Sequence, residues 1–185
     1  MRNRHLYAPA ALLLTSTWGF MPAFALNEKV PDECEKYLTE MSHQLNALEA
    51  LVPNVPPDEA SYLEKEYFAA LEVKSSKRIY DVQRRPLYYA WILHGSFDNA
   101  RRQINIAQQT LGHPPGQLVD LKFAMQIASL IPYDMANAKV AWIDFDNADN
   151  GKVLTLEQIR QGARLSQLMI GEPGQYIWCL AQFIK

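Results

Sequence analysis

The chain has 185 residues, of which 49% are hydrophobic, with 18 Lys plus Arg against 20 Asp plus Glu. A formal net charge of −2 leaves no basic excess with which to hold nucleic acid or an anionic membrane surface in general. At this length a single domain with one main core is expected.

Residues 1–25 have the three parts of a cleaved secretory signal: Arg2 and Arg4, an apolar run from Leu6 to Phe20, and small residues at Ala23 and Ala25. Pro9 and Pro22 flank or interrupt that run, which is short for a bilayer span, so no stable membrane insertion is expected. Cleavage after Ala25 would leave residues 26–185 as a helical domain in the periplasm. It would also remove two arginines and no acid, moving the net charge to about −4. Cys34 and Cys179 are the only cysteines, and in an oxidising compartment they are expected to pair.

From Pro31 to Val52 the apolar residues Cys34, Tyr37, Leu38, Met41, Leu45, Leu48 and Val52 recur at spacings of three and four, which predicts a helix with one buried face. Pro53, Pro56 and Pro57 end it. Asp58 begins a second helix with Leu63, Tyr67, Phe68 and Leu71 inward, either continuous or broken near Ser75-Ser76. Lys77 to Arg85 is basic. Pro86 to Leu93 is dense in aromatic residues and reads first as a core helix, second as a surface for a partner or a homodimer. Gly95 and Ser96 predict a break, with Ser96 capping a helix that carries Ala100, Ile104, Ala107 and Leu111. After a loop at 112–116, a further helix is predicted from Leu118 to Ile131, ending at Pro132.

Pro132 to Ile143 predicts another helix, followed by Phe-Asp-Asn-Ala-Asp-Asn-Gly-Lys-Val-Leu-Thr-Leu-Glu-Gln-Ile from Phe145 to Ile159. A calcium ion needs six to eight oxygens, so one turn of chain must alternate ligands, bend at a glycine and close with a bidentate glutamate. With Asp146 at position one, Asn150 falls at five, Gly151 at six, the Lys152 carbonyl at seven and Glu157 at twelve. The stretch resembles an EF-hand loop, within a helix-loop-helix unit at 135–170. Ala148 and Leu154 occupy positions three and nine, where the family places ligands. An expanded register starting at Asp144 would restore a third carboxylate. The resemblance implies calcium held by Asp144, Asp146, Asn150, Lys152 and Glu157, at the weak end of the family range, a dissociation constant of about 10⁻⁴–10⁻³ M. The structural alternative is a metal-free corner that turns at Gly151. Phe97-Asp98-Asn99-Ala100 repeats Phe145-Asp146-Asn147-Ala148, but neither a glycine turn nor a closing glutamate follows it.

Thr155 is a candidate cap for an exiting helix that runs to Gly171, after which Pro173 opens a last helix packing Tyr176, Ile177, Trp178, Leu180, Phe183 and Ile184 inward. No stretch alternates as a strand would. The expectation is therefore an all-α domain of seven or eight helices.

His-Glu-x-x-His, Gly-x-Ser-x-Gly and phosphate-binding glycine loops are not found in the sequence. His43, His94 and His113 lack acidic partners at ligand spacing. No catalytic residue is assigned, although Glu33, Glu64 or Glu66 could serve a helical peptidoglycan hydrolase. In size, export signal, helical content and single bridge the chain is similar to the periplasmic immunity proteins that neutralise type VI secretion effectors. That resemblance implies a non-enzymatic domain whose partner is another periplasmic or secreted protein. A calcium-dependent binding module is the alternative.

Overall fold

The computed structural model describes residues 32–111, 119–147 and 153–183. The expected signal segment and the 112–116 loop lie outside them. Among the described residues there are seven helices and no strand: α1 (Asp32–Glu49), α2 (Pro57–Glu72), α3 (Ser76–Gln83), α4 (Tyr88–Leu111), α5 (Val119–Ala128), α6 (Ile131–Asn147) and α7 (Leu156–Ala181). The fold is all-α, as the periodicity of the sequence predicts. No helix among the described residues is long and apolar enough to cross a membrane.

Four of these helices form the frame. Cys34 meets Cys179, with 5.8 Å between the Cα atoms, and Gln44 bonds Glu172, so α1 and α7 run antiparallel. Arg101 reaches Glu49 while His94 meets the Pro53 carbonyl, which makes α1 and α4 antiparallel. Gln103 with Asp134 and Tyr89 with Phe145 set the same relation between α4 and α6, and Lys139 with Gln167 sets it between α6 and α7. The result is a closed up-down-up-down bundle of α1, α4, α6 and α7. Its core is filled by Leu38, Met41, Leu45, Phe97, Ile104, Met135, Trp142 and Tyr176, each almost fully buried.

The connections carry the other three helices. Between α1 and α4, the α2–α3 hairpin closes a smaller cluster of Leu63, Tyr67, Ala70, Ile79 and Val82 on Tyr88 of α4. Lys74, at φ 50°, turns the chain, and the Ser75 hydroxyl then accepts from the Arg78 backbone N–H to start α3. The basic run 77–85 is thus mostly helical, its Ile79 and Val82 turned inward and its cations outward. α5 packs on α4 and α7.

Two predicted breaks do not occur. α4 runs through Gly95 and Ser96 because Ala90, Leu93, Phe97, Ala100, Ile104 and Ala107 form one uninterrupted buried stripe across them. α7 likewise runs through Pro173, which is itself buried. Gly162, Ser166, Met169, Pro173, Tyr176 and Leu180 keep the 3–4 spacing on both sides, and that packing offsets the roughly 3 kcal/mol an interior proline costs. The break predicted at Pro132 is present but falls slightly earlier: α5 ends at Ala128, and Pro132 with Ile131 lies in the first turn of α6, where no N–H is needed. Two aromatic side chains also face the other way from expectation. Phe68 is 55% exposed because Leu63, Tyr67 and Ala70 take the inner face of α2. Trp178 is 68% exposed because it lies two residues from Tyr176, about 200° around the helix.

Candidate functional site

The EF-hand-like unit is the third connection of the bundle, between α6 and α7. On α6, Ala138, Ala141, Trp142 and Phe145 are buried, and the Phe145 ring lies 5.9 Å from that of Tyr89 on α4. The two helices come very close here. A Cβ placed on Gly162 of α7 would lie 2.3 Å from the Trp142 ring, so only glycine permits this approach. Trp142 and Gly162 therefore fix the spacing of the corner.

Asp144 and Asp146 are both solvent-facing on the last turn and a half of α6, which continues to Asn147. Two residues apart on a helix, they point about 200° from one another. The Asn147 side-chain amide donates to the Ile143 carbonyl at 2.8 Å, which extends the helix end. Asn150 and Lys152, with Ala148 and Gly151, lie outside the described residues. The chain is described again at Val153, half-buried against the core, and Leu154, which is buried. The apolar side chain at position nine thus serves the core.

α7 then begins with a reciprocal cap. The Thr155 hydroxyl accepts from the Gln158 backbone N–H at 3.2 Å, and the Gln158 side chain accepts from the Thr155 N–H at 2.9 Å. Glu157 is exposed in the first turn, where the partial positive charge of the helix end favours a carboxylate. Ile159 is buried, matching Phe145 across the corner. Asp146 and Glu157 therefore bracket the segment that the EF-hand resemblance assigns to the ion. Among the described residues, no three of His, Cys, Asp and Glu come together in a group able to hold a metal.

Two buried polar contacts were not legible as sites in the sequence. Asp134 of α6 is buried and accepts from the Gln103 side-chain amide of α4 at 2.7 Å. Burial raises its carboxyl above the usual aspartate range, against the opposing hydrogen bonds from Gln103 and Asn99. Between α1 and α7, Gln44 donates to one oxygen of Glu172, whose carboxyl burial also raises. The other Glu172 oxygen has no hydrogen-bond partner among the described residues. A lone acid or amide in a helical pattern carries no signal of such pairing.

Of the three glutamates named from sequence for a hydrolase, Glu33 and Glu64 are exposed and Glu66 is half-buried. Glu33 lies on α1 and the other two on α2. Comparison with known protein families, with curated proteins and with solved structures returned no match.

Proposed function

We propose that the chain is an exported, non-enzymatic protein-binding domain, of the same architectural kind as the periplasmic immunity proteins, with its contact face on the outer side of α6. The observation that carries this reading is the row Tyr133, Val140 and Ile143, exposed by 61%, 55% and 47%. The spacings of seven and three put these side chains on one side of the helix, over about 15 Å of its length. Apolar side chains aligned on a solvent-facing helix are a common basis for docking another protein. The acidic balance of the chain would speed association with a basic partner.

The test is co-purification of a cognate protein with the intact chain and with Val140→Lys and Ile143→Lys variants. Loss of the partner in both, with far-ultraviolet circular dichroism unchanged, is the expected result; Leu168→Lys, on exposed α7 surface, serves as the control. Retention by both α6 variants would end this reading.

Calcium binding at the corner is the second reading, favoured by the placement of Asp146 and Glu157 on either side of the loop and by the buried Phe145 and Ile159 that frame it. Asp146, Asn150, the Lys152 carbonyl and Glu157 would hold the ion, with Asp144 in the expanded register. The ion would supply positive charge that orders the loop next to the α6 face. Calorimetric titration should give binding in the range of about 10⁻⁴–10⁻³ M, lost in Asp146→Ala and Glu157→Ala. No heat at millimolar calcium would leave the corner a purely structural turn.

A further inference from the structure

A cleft of about 290 Å³ opens between α4 and the α1–α2 connection. Its floor is Gly95, where an added Cβ would meet nothing within 4 Å. One end is Trp91, half-buried, its ring backed by Tyr67 and Tyr88 at 5.9 Å each. The other end is Asp98, seven residues on and so on the same face, about 10 Å further along the helix. The facing wall is Asn54 and Val55, held in place because His94 donates its Nε2–H to the Pro53 carbonyl at 3.0 Å.

The charges fit one class of ligand. Asp98 is exposed and has no hydrogen bond or ion pair among the described residues. Of the two cations one turn further along α4, Arg101 is occupied by Glu49 and Asn46 of α1, and exposed Arg102 makes no ion pair with Asp98. No lysine or arginine lines the cleft, so an anion would find no counter-charge there. An aromatic face, a floor without side chain and a carboxylate in line suit a flexible apolar stem that ends in a cation. We infer that this cleft binds an alkylammonium or alkylguanidinium group, with its stem along Trp91 and Gly95 and its cationic head on Asp98. This inference does not depend on the α6 face or on the calcium corner.

The experiment is a two-dimensional ¹H–¹⁵N NMR titration of the intact oxidised chain with two probes: agmatine, and arginine blocked at both ends as it would be within a peptide. Saturable shifts centred on residues 54, 55 and 91–98 are expected, with a dissociation constant on the order of 10⁻³ M. Asp98→Asn should weaken binding by about tenfold or more, since it removes the charge while keeping the shape. Gly95→Leu fills the floor and should abolish binding while raising the melting temperature, because leucine is the better helix former. That pair of results separates a blocked site from a misfolded protein. Saturation by agmatine alone would assign the site to free amines, and saturation by blocked arginine would assign it to a side chain of a partner. The inference is overturned if neither probe saturates, or if the shifts survive both substitutions.

Discussion

At the scale of single residues, buried polar groups mark where this protein carries a free-energy cost. Asp134 sits in the α4–α6 contact facing the Gln103 and Asn99 amides, and burial raises its carboxyl pKa despite them. An acid whose folded value lies above its unfolded value holds its proton more tightly in the folded state. Its contribution to stability is then greatest below the unfolded value, near 3.8, and is lost as the pH rises through the folded value. Asp134→Asn keeps an acceptor for Gln103 and removes the charge. We expect the variant to be more stable than the wild type at pH 7, with the difference shrinking as the pH falls towards 4. Urea denaturation at several pH values measures this, and a difference independent of pH would rule out the charge as the cause. Glu172 shifts in the same direction, so some of the slope should remain in the variant.

At the scale of elements, the sequence carried helix type well and helix ends poorly. The stripe from Cys34 to Leu48 and the Thr155 cap were legible because they rest on local spacing and local hydrogen bonds. Gly95, Ser96 and Pro173 were misread for the same reason. They are local breakers, whereas the continuous burial that overrides them comes from neighbouring helices far away in sequence. The corner divides along similar lines. Buried Phe145 and Ile159 could be anticipated from the loop resemblance, but the tight approach of α7 to Trp142 could not, since a glycine at 162 in a helix reads only as a weak position. Gly162→Ala would set a methyl group into a fully buried indole, so α6 and α7 must separate or the ring must move. Alanine favours helix by about 1 kcal/mol over glycine, but overpacking costs typically 1–3 kcal/mol, and against an indole that cannot leave its pocket the upper part of that range should prevail. Net destabilisation of about 1–2 kcal/mol in chemical denaturation is expected. Adding Trp142→Phe, which shortens the opposing ring, should recover part of the loss, whereas two independent sites would simply add.

At the scale of the whole molecule, the chain closes on itself at two levels. The bundle is closed by packing between α1 and α7, the first and last helices among the described residues, and the bridge from Cys34 to Cys179 fastens the same pair across a sequence separation of 145. A link over so long a loop removes much of the freedom of the unfolded chain, up to roughly 5 kcal/mol in the chain-entropy account. The α2–α3 hairpin gains nothing specific from the bridge, because it rests on its own small cluster and meets the bundle through α4. Reduction should therefore lower global stability by several kcal/mol, about 3–5, while leaving local opening of the hairpin almost unchanged. Native-state hydrogen exchange separates the two effects. Amides in α1, α4, α6 and α7 should lose protection together on reduction, since they exchange through global unfolding. Those of α2 and α3 should already exchange faster in the oxidised protein and change little. If the hairpin amides lost protection in step with α1 and α7, the hairpin and bundle would form one cooperative unit, and the bridge would stabilise all seven helices alike.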